Sequence, residues 1–212
     1  MPKVKHPLGV TYYESKGSKN KKTPLICLHG GPGGTSLGHR PMLELSKDRK
    51  VYIYDQIGGG RSSAINEKKW TIETFVKELD YLIKEWELEE FILFGSSWGT
   101  TLALEYYRHR KGKGIKSIVF QSPMFSAKDW EEDANRLISK MPKKIQKVIE
   151  YCHEIEATDS KVYQKAVFDY YLRHVCRDEK ILKSKSKLKN EHGNRVYNGM
   201  WGPSEFKATG SL

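Results

Sequence analysis

A short glycine-flanked serine motif, set between a predicted strand and a predicted helix, constrains this chain more than any other feature. The motif is G-S-S-W-G at residues 95–99, and it follows four apolar residues, 91–94, that are typical of a buried strand. A helical pattern at residues 100–111 comes directly after it. So tight a turn needs small residues on both sides, and its strain presents the Ser97 hydroxyl at the carboxyl end of a sheet. We therefore predict that Ser97 is a nucleophile; the alternative is a glycine-rich turn without chemistry.

The sequence around this motif alternates short apolar runs with helical patterns. Such alternation is typical of a parallel sheet covered by helices. Further strands are predicted at residues 25–28, 51–54 and 118–120. Between the second strand and the motif, apolar residues recur at intervals of three and four and so share one face of a helix, at positions 72, 75, 76, 79, 82, 83 and 86. The sequence therefore predicts an α/β fold with a mostly parallel sheet.

The pattern changes after residue 123, where strands stop and helical periodicity takes over. We predict three regions: the N-terminal part of an α/β core at 1–123, a helical lid inserted at 124–205, and the start of a return to the core at 206–212. The stretch from Lys183 to Asn194 is charged and irregular, which predicts a mobile connection inside the lid.

A glycine-rich segment, H-G-G-P-G-G at residues 29–34, follows the first predicted strand. Glycines let the main chain approach a bound carbonyl closely, so the N–H of Gly30 or Gly31 can stabilise an oxyanion. The N–H of Trp98, at the positive end of the helix after Ser97, can do the same. The alternative is a phosphate-binding loop, but the sequence has neither the Gly-Lys-Ser/Thr ending nor the spacing of the known phosphate loops.

A third glycine-rich segment, D-Q-I-G-G-G-R-S at residues 55–62, ends the second predicted strand. By itself it indicates only a turn, and we predict that Asp55 anchors this loop and takes no part in chemistry.

In their order and spacing, these three segments resemble the proline iminopeptidase family of α/β-hydrolases, which includes the tricorn-interacting aminopeptidases. The likeness continues with R-H-V-C-R at residues 173–177 and V-Y-N-G-M-W-G-P-S-E-F at residues 196–206, so it covers nearly the whole chain from residue 10 onward. The resemblance implies an α/β-hydrolase fold with a helical lid. It also implies a serine aminopeptidase that releases N-terminal residues, often proline, from short peptides through an acyl-enzyme.

The resemblance further implies roles for individual residues. Ser97 would be the acylated nucleophile, and Trp98 with Gly30 or Gly31 would donate to the oxyanion. Glu205 would be a lid carboxylate that binds the free α-ammonium group of the substrate, a pairing that selects peptides with an unblocked N-terminus. The alternative for Glu205 is an ion pair within the lid.

A general base for Ser97 is not evident in the sequence. In this fold the nucleophile is followed along the chain by an Asp or Glu and then a His. None of the seven histidines fits this order at the end of a strand: His6, His29, His39, His109, His153, His174 and His192. In the resembling family the acid and the base follow the lid, on two further strands. We therefore expect that on the order of 60 residues and the last strands are missing. On that view the 212-residue chain is inactive and, with an unpaired sheet edge, prone to aggregate.

Composition excludes several other classes. The formal net charge is +11, but the lysines are scattered, and no zinc-finger spacing or RNP motif accompanies them, so we expect no nucleic-acid partner. No apolar run approaches the roughly 20 residues that a membrane crossing needs, and no secretory signal is evident, so we expect a cytoplasmic protein without a membrane partner.

Cys27, Cys152 and Cys176 form neither a disulfide framework nor a zinc motif. We expect no metal or cofactor, short peptides with a free N-terminus as substrates, and a monomer.

Two rival functions remain open. An esterase or lactonase would share Ser97 and the glycine loop but would not need Glu205. The alternative that is not an enzyme is either a complete chain that works as a binding module or a truncated, non-catalytic product of a disrupted reading frame. Dehalogenases and epoxide hydrolases of this fold use an aspartate nucleophile, and Ser97 argues against both.

Overall fold

A mixed sheet of six strands organises the part of the chain that the computed structural model describes, which is residues 2–19, 21–185 and 190–212. The strands are β1 (Lys3–His6), β2 (Gly9–Lys16), β3 (Lys22–Leu28), β4 (Arg49–Tyr54), β5 (Phe91–Ser96) and β6 (Ile115–Gln121). The helices are α1 (Ile72–Glu85), α2 (Trp98–Arg110), α3 (Ala127–Ile138), α4 (Lys143–Glu154), α5 (Lys161–His174), α6 (Glu179–Lys185) and α7 (Glu191–Met200). Segments of 3₁₀ helix lie at Ser36–Lys47 and Glu67–Lys69.

The strands lie in the order β1-β2-β4-β3-β5-β6. The last four are parallel to one another, whereas β1 and β2 run antiparallel at one edge. The prediction of a mostly parallel sheet is therefore confirmed. The carboxyl ends of β3, β4 and β5 lie side by side, and each leads directly into one of the three glycine-rich segments.

Strands β1 and β2 were not predicted, because neither of them carries the continuous apolar run that is typical of a strand buried on both faces. In β1 only Val4 is buried, and in β2 the buried residues are Thr11 and Tyr12. Pairing of β2 with β4, which lies about 40 residues further along the chain, supplies the stability that the local sequence does not indicate.

Helix α1 buries the apolar face that the sequence predicts. Phe75, Leu79 and Leu82 are fully buried. The helix begins after Thr71, whose side chain accepts a hydrogen bond from the N–H of Thr74. Glu78 lies on the same buried face, with no exposed surface, which the apolar spacing does not reveal.

The chain divides into two compact units. The first comprises the residues up to Phe125 together with Asn190–Met200 and Ser211–Leu212, and the second comprises Ser126–Lys189 and Trp201–Gly210. This division differs from the predicted domains at α7, which belongs to the first unit and not to the lid region. The remaining domain boundaries stay a prediction.

The predicted irregular connection from Lys183 to Asn194 is wrong at both of its ends. Helix α6 continues to Lys185, and α7 begins at Glu191. Charged side chains suit an exposed helix as well as a loop, so charge alone does not separate the two. Residues 186–189, in the middle of that connection, lie outside the described residues.

The second unit has its own apolar cluster, formed between α3, α4 and α5 and the segment after α7. Tyr163, Tyr170 and Phe206 lie at its centre and are buried. These three helices confirm the helical periodicity predicted after residue 123. Across the described part of the chain, none of the helices combines the length and the apolar character needed to cross a membrane.

Candidate active site

Ser97 occupies the turn between β5 and α2, as the sequence predicts. Its backbone is strained, with φ +52° and ψ −122°. The Ser97 N–H donates to the carbonyl of Gln121 at the end of β6, 3.0 Å away, which fixes the turn to the neighbouring strand. The Ser97 side chain is partly exposed, and among the described residues its hydroxyl has no hydrogen-bond partner. Hydrogen bonds of the hydroxyl therefore do not hold the turn together.

Both glycines of the motif are required by close main-chain contacts. A Cβ atom at Gly95 would overlap the carbonyl oxygen of Gly99, and a Cβ atom at Gly99 would overlap the carbonyl oxygen of Leu28 in β3. The turn thus closes on itself and packs directly against the neighbouring strand. The turn therefore requires small residues on both sides of Ser97, as the sequence predicts.

The glycine loop at residues 29–34 lies against Ser97. A Cβ atom at Gly30 would stand only 3.3 Å from the Ser97 Cβ. Gly31 follows with φ +131°, a conformation that favours glycine. Trp98 is the first residue of α2, so its N–H has no acceptor within the helix. The structure thus brings together Ser97, Trp98 and Gly30; their roles in binding an oxyanion stay a prediction.

Asp55 anchors the third glycine-rich loop. Its Oδ1 accepts hydrogen bonds from the N–H and the hydroxyl of Ser36, at 2.8 and 2.7 Å. Its Oδ2 accepts from the N–H and the Nε of Arg61, at 2.9 and 2.7 Å. Burial alone would raise the pKa of Asp55, but these hydrogen bonds outweigh it and lower the pKa to about 2. Asp55 is therefore a permanently charged anchor, as predicted.

Gln56 connects all three segments, and the sequence analysis did not single it out. Its side-chain Nε2 donates to the carbonyl of His29 (3.0 Å), and its Oε1 accepts from the indole Nε1 of Trp98 (2.8 Å). Its main-chain N–H donates to the Nε2 of His29 (2.9 Å). His29 Nδ1 in turn lies 2.7 Å from the carbonyl oxygen of Gly30. All of these groups are buried except Gly30, which is partly so.

Asn190, just before α7, is a second residue that sequence reasoning missed. Its Nδ2 donates to the carbonyl of Gly33 (2.7 Å), and its Oδ1 accepts from the N–H of Gly60 (2.9 Å). The side-chain amide therefore joins two glycine-rich loops. Because 157 positions separate Asn190 from Gly33, no local pattern could have indicated this contact.

No described histidine is hydrogen-bonded to the Ser97 hydroxyl. His29, the histidine next to the site in sequence, uses both ring nitrogens in the contacts given above. Burial lowers its pKa, which keeps the ring neutral. The described residues also contain no group of three or more His, Cys, Asp or Glu side chains able to hold a metal ion.

Glu205 belongs to the second unit, at a tight turn between Ser204 and Lys207. The main chain on both sides of Glu205 is fixed by two indoles. Trp201 Nε1 donates to the carbonyl of Ser204 (3.1 Å), and Trp130 Nε1 donates to that of Glu205 itself (3.2 Å). Glu205 is partly exposed.

Ser204, the residue before Glu205, is held by two side chains from helices α4 and α5 of the second unit. Its hydroxyl lies 2.9 Å from both His153 Nε2 and the hydroxyl of Tyr163. Burial raises the pKa of Tyr163 to about 12, and the charge of the nearby Glu205 acts in the same direction. The turn that carries Glu205 is therefore fixed to the helices of the second unit by specific contacts.

A family model described as the alpha/beta hydrolase fold matches residues 23–208. The proline iminopeptidase of Heyndrickxia coagulans is 39% identical over 192 residues, which is 90% of this chain and 66% of that protein. The proline iminopeptidase of Lactobacillus delbrueckii subsp. lactis is 34% identical over 207 residues, which is 95% of this chain and 70% of that protein. The chain thus spans about two thirds of the length of these relatives.

Solved structures agree with the sequence comparisons. VinJ superposes with a TM-score of 0.90 at 30% identity, and the proline iminopeptidase of Mycobacterium smegmatis with a TM-score of 0.85 at 26% identity. Each match covers 100% of this chain and 74% of the other. The resemblance carried by the three glycine-rich segments is thereby confirmed, and the chain belongs to the proline iminopeptidase family of α/β hydrolases.

Proposed function

We propose that this chain carries the nucleophile and the oxyanion-binding groups of a serine aminopeptidase that releases N-terminal residues, proline among them, from short peptides. The observation that carries the proposal is Ser97 on its strained turn, with a free hydroxyl and with Gly30 packed against it. The relatives named proline iminopeptidase support the choice of reaction.

In the proposed reaction the Ser97 oxygen attacks the carbonyl carbon of the first peptide bond. The new C–O bond gives a tetrahedral oxyanion, which the N–H groups of Trp98 and of Gly30 or Gly31 would stabilise. A general base takes the proton of the attacking hydroxyl and passes it to the leaving amine as the C–N bond breaks, and water then hydrolyses the acyl-enzyme. Glu205 would bind the free α-ammonium group and so restrict the substrates to unblocked peptides.

The general base is the part of the proposal that the described contacts do not supply. We propose that the 212-residue chain alone turns over no peptide, because a serine without a base is a weak nucleophile. A fluorophosphonate probe tests this point. We expect very slow labelling of the chain and none of the Ser97→Ala variant. Rapid stoichiometric labelling of the wild-type chain would show that a base is present among these residues.

The choice between peptidase and esterase is tested on the product of the whole gene, with proline anilide in its free and N-acetylated forms. An aminopeptidase hydrolyses the free form and rejects the acetylated form. The Glu205→Gln variant is expected to raise KM for the free form by about 10-fold or more, because a charge-assisted hydrogen bond is lost. Equal turnover of the two anilides by the wild type would reject the aminopeptidase in favour of an esterase or lactonase. Cytoplasmic location and a monomeric state stay predictions.

A further inference from the structure

A buried chain of hydrogen bonds joins the three glycine-rich segments behind the reactive serine, with Gln56 at its centre. We propose that Gln56 is a positioning residue that, through His29 and Trp98, holds in place the two peptide N–H groups that would bind the oxyanion. This inference rests on the proposed function and extends it to a residue that does not itself contact the substrate.

The first arm of the chain of bonds fixes the peptide between Gly30 and Gly31. Because the main-chain N–H of Gln56 donates to His29 Nε2, that nitrogen carries no proton and the ring is an acceptor there. The remaining proton of the neutral ring must lie on Nδ1, from which it donates to the carbonyl of Gly30, 2.7 Å away. In a trans peptide the C=O and the N–H point in opposite directions. The N–H of Gly31 is therefore held on the side facing away from the imidazole.

The second arm fixes Trp98. The indole Nε1 donates to the side-chain Oε1 of Gln56, at 2.8 Å, and the indole has no exposed surface. Because Trp98 is the first helical residue after Ser97, a fixed indole restricts rotation of the main chain that carries the Trp98 N–H.

The amide group of Gln56 is suited to link the two arms. One side-chain atom donates to the carbonyl of His29 while the other accepts from Trp98, so the donor and the acceptor belong to one planar group. A carboxylate would place an acceptor against the His29 carbonyl, and an apolar side chain would leave buried polar groups unpaired. Either change would allow the two N–H groups to move out of position. Neither change would alter Ser97 or the glycine loop itself.

Replacement of Gln56 is expected to weaken stabilisation of the transition state and to leave substrate binding nearly unchanged. Loss of one oxyanion donor costs about 10²–10³-fold in kcat, and a displaced donor costs part of that. For the Gln56→Met variant of the whole gene product we expect kcat to fall roughly 10- to 100-fold, with KM within about twofold of the wild type. Affinity for a prolyl boronate, which forms a tetrahedral adduct with a serine, should fall by the same factor as kcat/KM.

The matched control is Tyr106→Phe, which also removes a buried side-chain hydrogen bond in the first unit. Its hydroxyl donates to Asp80, 3.1 Å away, and Tyr106 lies about two turns along α2 from Trp98, so this bond does not involve the N–H groups of the glycine-rich segments. This variant should lose stability to an extent similar to Gln56→Met while keeping kcat and boronate affinity. A comparable fall of kcat in both variants would mean that general destabilisation explains the effect, and would overturn the inference.

A second experiment, which does not depend on turnover, is nitrogen-15 NMR of the wild-type chain. The His29 ring should be neutral, with its proton on Nδ1, and the Trp98 indole proton should exchange slowly; in Gln56→Met the indole proton should exchange faster. A proton on Nε2 of His29 in the wild type would overturn the inference.

The remaining outcomes separate the inference from the proposed function. An active wild type with unchanged kcat in Gln56→Met, or with only KM raised, overturns the inference and leaves the aminopeptidase standing. A gene product that neither hydrolyses proline anilide nor binds the boronate overturns the proposed function, and with it the catalytic role of Gln56.

Discussion

Ser97 shows at the level of one residue that the turn of the motif carries backbone strain. At φ +52° only glycine avoids steric strain, so a serine there costs about 1 kcal/mol or more of stability. We predict that Ser97→Gly raises the free energy of unfolding by about 1 kcal/mol relative to Ser97→Ala, after the greater flexibility of glycine in the unfolded chain is counted. Urea denaturation of the two variants measures the difference.

The comparison with alanine removes the effect of the hydroxyl, since both variants lack it. Neither variant should react with a fluorophosphonate. Equal stabilities for glycine and alanine at this position would show that the turn is not strained.

Glu78 gives a second prediction, because its carboxyl group is buried and only half satisfied. The hydroxyl of Thr11 and the N–H of Ile57 (2.8 Å) both donate to Oε1, whereas Oε2 is buried without a partner among the described residues. Burial raises the pKa of Glu78 from 4.5 to about 8. Between these values the folded state binds a proton that the unfolded state has released, so stability falls as pH rises, by at most about 1.4 kcal/mol per pH unit.

The Glu78→Gln variant isolates this effect. Relative to the wild type, its free energy of unfolding should increase steadily from pH 5 to pH 8, as measured by urea denaturation at a series of pH values. Glu85→Gln changes an exposed carboxylate of the same helix and should show no such trend. A constant difference between wild type and Glu78→Gln would mean that Glu78 is ionised in the folded protein.

Residues with local contacts were accessible from the sequence, and residues with distant contacts were not. Ser97 lies in the turn that its own motif forms, and Asp55 bonds to Arg61 in its own loop, so the local sequence indicates the turn and the anchor. The contact of Asp55 with Ser36, 19 positions earlier, is not indicated locally. Gln56 meets Trp98 over a separation of 42 positions, and Asn190 meets Gly33 over 157. Only the folded sheet brings such pairs together.

Among the elements, α7 depends on Asn190 for its connection to the glycine loops. Replacing Asn190 by Ala removes the bonds to Gly33 and Gly60 and should cost about 1–3 kcal/mol of stability. Hydrogen exchange should accelerate in residues 30–34 and 58–60 and remain unchanged in α4. Unchanged exchange in both loops would show that α7 is held by its other contacts, such as the ion pair of Arg195 with Glu67.

The accuracy of the predicted elements follows the apolar pattern of their own sequence and not their burial, since β6 is mostly exposed and its apolar run was nevertheless identified. Strands β3, β4 and β5 are continuous apolar runs, and α1 is strongly amphipathic, so both classes were identified. Strands β1 and β2 pair through main-chain hydrogen bonds while exposing many side chains, and such strands leave little trace in the sequence.

At the scale of the whole molecule, two surface properties have opposite effects on self-association. An exposed apolar strand favours association, and a high net positive charge disfavours it. Strand β6 ends the sheet, and Val119 and Phe120 are 44% and 40% exposed, which is unusual for a parallel strand. The net charge of +11 keeps copies of the chain apart at low ionic strength. We predict that self-association, measured by light scattering, rises as sodium chloride is increased and the repulsion is screened.

The double variant Val119→Thr with Phe120→Gln should suppress this association without changing the charge. Val175→Thr, at an exposed valine outside the sheet, serves as the control and should associate as the wild type does. Association that persists in the double variant would place the contact elsewhere on the surface.

Close main-chain contacts among the glycines of the loops and of α7 limit how this protein can be re-engineered. A Cβ atom at Gly59 would stand 2.6 Å from the carbonyl oxygen of Gly34, and one at Gly33 or Gly193 would overlap the main chain of the other. Mutational libraries directed at these glycines would yield mostly misfolded protein, whatever the desired specificity. Variation aimed at new substrates belongs at exposed side chains, where a larger or smaller group displaces water and not backbone.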